Sequence, residues 1–183
     1  MQAGNLAFAA LALSCSLLAA TPWKTEPGQS SLSFFGTQAG AQFGGEFRRF
    51  TAQVRFDPDD LATSRFEVII EMTSADTGDR ERDDIIHGED LFATQRWPTA
   101  HYVTEKFTDA GGGRFRSTGK LTIRDVTREV PIEFTYRADA NGAWLNGKAT
   151  LRRLDFGVGQ GEWKDTEWVG NDVRVEFALR LLP

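Results

Sequence analysis

The sequence predicts an all-β fold: an antiparallel barrel or sandwich of about eight strands, with a short helical segment between strands three and four. Three observations carry that expectation. Apolar and polar residues alternate with period two over several stretches, turn-forming glycine and asparagine separate those stretches, and only one stretch has a helical pattern.

In chain order, a weak first strand is expected over 32–38, where Leu32 and Phe34 share a face. The second runs over 50–56, with Phe50, Ala52, Val54 and Phe56 on one side. The third, over 66–72, repeats the pattern with Phe66, Val68, Ile70 and Met72. The helical segment over 79–92 follows, with Ile85, Ile86 and Leu91 set among acidic residues. A fourth, weaker strand covers 100–107. The fifth, over 114–124, alternates Phe115, Ser117, Gly119, Leu121 and Ile123 against Arg114, Arg116, Thr118, Lys120, Thr122 and Arg124. The sixth carries Val130, Ile132, Phe134 and Tyr136 inward, and a weaker seventh spans 143–153. The eighth carries Val173, Val175, Phe177, Leu179 and Leu181, with Arg174, Glu176 and Arg180 outward. Gly111-Gly112-Gly113 and Asn141-Gly142 supply tight turns. One-faced strands need a common interior, and a barrel of about eight is just wide enough to hold one small ligand.

The inward faces are not uniformly bulky. Gly36, Ser117, Gly119, Ala143, Gly147 and Ala149 share the apolar parity. One reading is an apolar cavity walled by Leu32, Phe34, Val68, Ile70, Leu121, Ile132, Phe134, Leu151, Val175 and Phe177, with Gly119 and Gly147 leaving volume for a ligand. The other is a filled barrel in which small and large residues alternate to fit its taper. Arg153 has inward parity, and an unpaired buried charge is costly. It is expected to face a ligand head group or, more simply, a carboxylate at the rim.

The chain has 183 residues, with 21 Lys+Arg against 26 Asp+Glu. A net charge of −5 argues against a nucleic-acid partner. Residues 6–20 form an uncharged apolar run of signal-peptide length, so 1–22 is expected to be a cleaved export signal and 23–183 a single domain, placed in the periplasm. An uncleaved anchor, or a lipoprotein acylated at Cys15, are the alternatives. Cys15 is the only cysteine, so the mature chain would lack a thiol and cysteine catalysis is excluded.

His87 and His101 are far apart and show no metal-ligand spacing, so no metal is expected. Gly157-Val158-Gly159-Gln160-Gly161 lacks the following helix and lysine of a phosphate loop, and reads as a turn beside Trp163 and Trp168. No nucleophile and base are placed together, so no enzyme activity is expected.

Ser31-Leu32-Ser33-Phe34, Gly45-Glu46-Phe47, Phe56-Asp57-Pro58, Thr77 with Arg82-Asp83, and Asp90-Leu91-Phe92 occur in order. Trp97-Pro98, Gly119-Lys120-Leu121-Thr122-Ile123 with Val126-Thr127, and Arg153-Leu154-Asp155-Phe156-Gly157 follow. Together these blocks resemble the YceI family of bacterial lipid-binding proteins. The resemblance implies an eight-stranded, lipocalin-like antiparallel barrel, exported to the periplasm, holding an amphiphilic isoprenoid such as a polyprenyl lipid or a prenylated quinone. It implies a carrier without catalysis or cofactor. Many members have a histidine where this chain has Gln38, which can hydrogen-bond a head group but cannot titrate near neutral pH. A filled barrel contacting membrane or envelope proteins through its tryptophans, a homodimer, and a lipid-modifying enzyme are the readings left beside it.

Overall fold

The computed structural model describes residues 22–183, so the expected leader, all but Pro22, lies outside the described residues. Alternation becomes strand wherever it was expected. The strands are β1 (Lys24–Thr25), β2 (Ser31–Gln38), β3 (Ala41–Phe47), β4 (Phe50–Arg55), β5 (Arg65–Glu71) and β6 (Ala75–Asp76), then β7 (Thr99–Gly111), β8 (Arg114–Ile123), β9 (Val126–Asp139), β10 (Gly142–Arg152) and β11 (Asp172–Leu182). One helix, α1 (Arg80–His87), lies between β6 and β7. Asp79 caps it, accepting a hydrogen bond from the Arg82 N–H at 3.2 Å.

The strands form one antiparallel sheet in the order β4-β5-β7-β8-β9-β10-β11-β2-β3-β6, with β1 also on β11. The sheet curls round on itself. β4 returns toward β1 through Trp23, whose N–H donates to the Val54 carbonyl at 2.7 Å. Closure at this seam rests on that bridge and on the Thr25 hydroxyl, which donates to the Ala52 carbonyl at 2.6 Å, rather than on a ladder.

The expected count of eight strands is too low. β1 and β6 are two residues each, too short for alternation to show. β3 reads Ala41-Gln42-Phe43-Gly44-Gly45-Glu46-Phe47, and its two glycines break the apolar repeat. Those glycines are required by the packing. A Cβ on Gly45 would sit 2.4 Å from Phe34 Cζ, and one on Gly36 of the facing strand 2.9 Å from Phe43 Cζ. Each strand's ring therefore lies over a glycine of the other.

Inward parity is as expected: Ile132 and Phe134 are buried while Glu133 is exposed, and Val175 faces the interior between exposed Arg174 and Glu176. The two ends of the curled sheet differ. At the end with the β7–β8 turn, Phe56 packs against Phe66, Phe107, Phe115, Phe134 and Tyr136 at centroid distances of 5.9, 5.8, 4.9, 5.3 and 5.0 Å. At the opposite end, α1 and the segments 88–97 and 153–170 cover the sheet. Arg124, in the β8–β9 turn, ties two of them together by donating to the carbonyls of Leu91 (2.8 Å) and Gly157 (2.9 Å).

Beside the aromatic end, Arg180 is buried and forks onto Asp139 at 2.6 and 3.1 Å. The hydrogen bonds from Arg180 hold the Asp139 carboxyl below its ordinary pKa. A group depressed in the folded state stabilises fully above its unfolded pKa of about 3.9, and that contribution is lost as pH falls through the lower folded value. Wild type should therefore melt higher than Asp139→Asn at pH 7, with the gap closing below about pH 4. Melting curves across that range check it; a gap that does not change with pH would show that the pair does not titrate.

Candidate functional site

Between the aromatic plug and the covered end, the sheet encloses an apolar cavity of about 210 Å³. One water-sized sphere needs roughly 10–15 Å³ in the same measure, so the void has room for a chain rather than for isolated waters. The expected residues line it, all but Gln38, Gly119, Phe134 and Gly147.

Each of those four departs for a physical reason. Gln38 ends β2 and bridges Val169 of the covering segment. Phe134 belongs to the aromatic plug, stacked on Phe115 at 5.6 Å. Gly119 and Gly147 leave no spare volume. A Cβ on Gly119 would meet Tyr102 Cζ and the Val103 carbonyl oxygen, each at 2.6 Å, and one on Gly147 would meet Phe177 Cζ at 2.4 Å. The space these glycines vacate is taken by rings from neighbouring strands. The cavity is opened instead by Ala52, Ala100 and Ala149 on its wall.

Several lining residues carry no strand signal. Phe43 lies in the missed β3, Ile86 and Leu91 come from α1 and the turns after it, and Phe156, Val158 and Val169 come from the covering segment. The helical pattern pointed to Ile86 and Leu91; nothing in the local pattern pointed to the others.

Arg153 is also placed differently from expectation. β10 ends at Arg152, and Arg153 opens a 3-10 turn, Arg153–Phe156. Among the described residues it has no carboxylate partner. Its Nε donates to Gly170 O at 3.0 Å, Nη1 to Val158 O at 2.9 Å and Nη2 to Val169 O at 2.7 Å. Desolvation by burial lowers its pKa from the ordinary value. Gly159, at φ +115°, makes this approach possible, since a Cβ there would collide with Nη1.

Among the described residues, Arg153 is the only charged group on the cavity wall, and Tyr102 brings the only hydroxyl. Tyr102 donates to Val130 O at 3.0 Å, and burial pushes its phenol pKa up, so it is occupied and neutral. Such a wall can bury an aliphatic chain, and it offers no pair of groups poised for proton transfer.

The model of the YceI-like domain matches residues 23–181. The chain belongs to this family. Its relatives include a UPF0312 protein of Vibrio campbellii, 28% identical over 141 residues, covering 73% of this chain and 75% of the relative. The crystal structure of Burkholderia cenocepacia BcnA has a TM-score of 0.82 and 33% identity, covering 85% of this chain and 98% of that one. A polyisoprenoid-binding domain from Saccharophagus degradans shares the fold at a TM-score of 0.67 and 12% identity, over 87% of this chain and 97% of that one.

The family blocks lie on strands β2, β3 and β8, in the plug at Phe56, and on the covered end. Asp83 accepts from the Thr77 N–H (2.8 Å) and hydroxyl (2.7 Å), fixing the start of α1. The Trp97 ring lies under Arg124 at 4.6 Å, and the Arg124 guanidinium joins Leu91 to Gly157. In this YceI-like chain the recognisable motifs build the cover of the cavity and also part of its wall, to which Leu32, Phe34, Leu121 and Ile123 belong.

Proposed function

We propose that this protein is a periplasmic carrier that holds an amphiphilic isoprenoid, a polyprenyl lipid or a prenylated quinone, in its apolar cavity, and that it does no chemistry on it. The observation that carries this reading is the wall itself: a void of about 210 Å³, lined by apolar side chains except at Arg153 and Tyr102. Burying each CH₂ stabilises by about 0.8 kcal/mol, so a long tail binds well without any polar signature. The polyisoprenoid-binding domain of Saccharophagus degradans, with the same fold, supports the choice of ligand class. A module that binds partners through its tryptophans fits less well. Trp168 is half exposed, but the core beneath is hollow rather than filled.

The test is mass spectrometry of lipid extracted from protein purified from its own periplasm, with the intact mass of the chain measured alongside. A prenyl lipid at near one equivalent on a shortened chain is expected. Protein recovered from the cytoplasm beginning at Met1, or free of lipid after mild purification, would overturn the reading.

A further inference from the structure

Residues 161–170 cross the covered end as a strap that begins and ends on glycine. Val169 and Gly170 line the cavity, while Trp168 beside them is 50% exposed, so one layer of chain separates the void from solvent here.

Little apolar surface holds this strap down. Of residues 161–168 only Trp163 is half-buried, and the rest are exposed. The N–H groups of Trp163, Asp165 and Glu167 donate to Gln160, Glu162 and Asp165, within the same stretch of chain. The strap is tied to the barrel at its far end. Ala39 N–H donates to Trp168 O at 2.8 Å, Gly170 N–H to Thr37 O at 2.9 Å, and Arg153 to Val169 O at 2.7 Å and Gly170 O at 3.0 Å. The remaining arm of the guanidinium holds Val158 O at 2.9 Å in the buried base of the cover, which the Asp90 carbonyl fixes by accepting from Gly159 and Gln160 N–H. Arg153 thus latches strap to base through hydrogen bonds to carbonyls.

Other parts of the boundary cost more to open. Val54 at the β4 seam is fully buried, and Ile86 and Leu91 on the α1 side are each 8% exposed. Moving either element bares large apolar side chains to water, whereas lifting the strap bares Val169 and one side of Trp163. Gly161 supplies a hinge. Its φ is +56°, and a Cβ there would meet nothing nearer than Asp90 Oδ2 at 4.0 Å, so backbone conformation rather than lack of room favours glycine.

Resting on the carrier reading above, we propose that residues 161–170 are the gate of the cavity. The strap swings about Gly161, releasing the Gln38–Val169 bridge and its two bonds from Arg153, and the ligand passes between it and the β2–β3 turn.

The bridge offers a way to lock the gate. Gln38 and Val169 face each other, and the flanking bonds from Ala39 and Gly170 make theirs a non-hydrogen-bonded pair, with Cα atoms about 4.5 Å apart, a spacing a disulfide spans. Gln38→Cys with Val169→Cys, in a Cys15→Ser chain, can be closed by oxidation and freed by dithiothreitol. Stopped-flow fluorescence with geranylgeranyl anthranilate, a neutral fluorescent prenyl probe, reads uptake and release. Oxidation, confirmed by intact mass, should slow both by about a hundredfold or more and leave equilibrium affinity within about threefold of the reduced form, and reduction should restore both rates. Unchanged rates in the oxidised chain would overturn the gate.

Hydrogen exchange on the wild-type chain reads the same motion without ligand or substitution. Ala39 and Gly170 N–H should exchange together and earlier than Phe92 N–H, which donates to Ile86 O on the α1 side. Protection of Ala39 and Gly170 as strong as that of Phe92 would also overturn the gate. Failure of the wild-type chain to take up the probe, with Ala39 and Gly170 still exchanging early, would overturn the carrier reading and leave the strap as the part of the cover that opens.

Discussion

Replacing Phe56 with alanine should cost about 3–5 kcal/mol of folding free energy, a large share of what a domain of this size has. Phe56 follows β4, is buried, and has five aromatic rings within 5.9 Å, two of them, Phe115 and Phe134, edge-on. Truncation removes the ring's transfer free energy and leaves a cavity that Phe107, Phe115 and Phe134, held on three separate strands, cannot collapse to fill. Denaturant titration should show a lower midpoint at unchanged slope. Phe56 is not on the cavity wall, so ligand affinity should change little while the protein is folded. A loss under about 1 kcal/mol would mean that the plug is loosely packed and relaxes around the deletion.

Gly119→Leu and Ala149→Leu should fail in opposite ways. At Gly119 the new side chain meets the Tyr102 ring and the Val103 carbonyl oxygen, and Tyr102 is pinned by its hydrogen bond to Val130. Neither neighbour yields without breaking a strand contact, so a loss of about 3 kcal/mol is expected, the upper part of the range for overpacking. Ala149 is buried with its side chain on the cavity wall. Leucine there grows into the void and should leave stability within about 1 kcal/mol of wild type. It displaces two or three CH₂ groups of tail, at about 0.8 kcal/mol each, so tail affinity should drop about tenfold or more. Melting curves and probe binding on the two variants decide this. A stable Gly119→Leu with weakened binding would restore that glycine to the ligand's path.

Gly119 and Gly147 show why inward small residues misled the sequence reading. Parity places a glycine on the inner face correctly, because it depends only on the period of the strand. Whether the missing side chain becomes free volume depends on the register between strands, which brings Tyr102 of β7 over Gly119 of β8 and Phe177 of β11 over Gly147 of β10. Arg153 misled in a related way. Its inward direction was legible, but its partners are the backbone carbonyls of residues 158, 169 and 170, which have no sequence signal.

The sequence by itself determined the all-β class, the inner face of the strands with clear alternation, the helical segment and the family, because alternation and ordered motifs are local properties that burial on one face must respect. Only the tertiary structure decided which inward residues form the plug and which the cavity wall. It also decided that β3 pairs with β2, Phe34 lying over Gly45 and Phe43 over Gly36, and that a buried guanidinium holds the cover in place. Those outcomes are set by which strands lie side by side and how far one slides past the next, and a periodic pattern fixes only the parity of that slide.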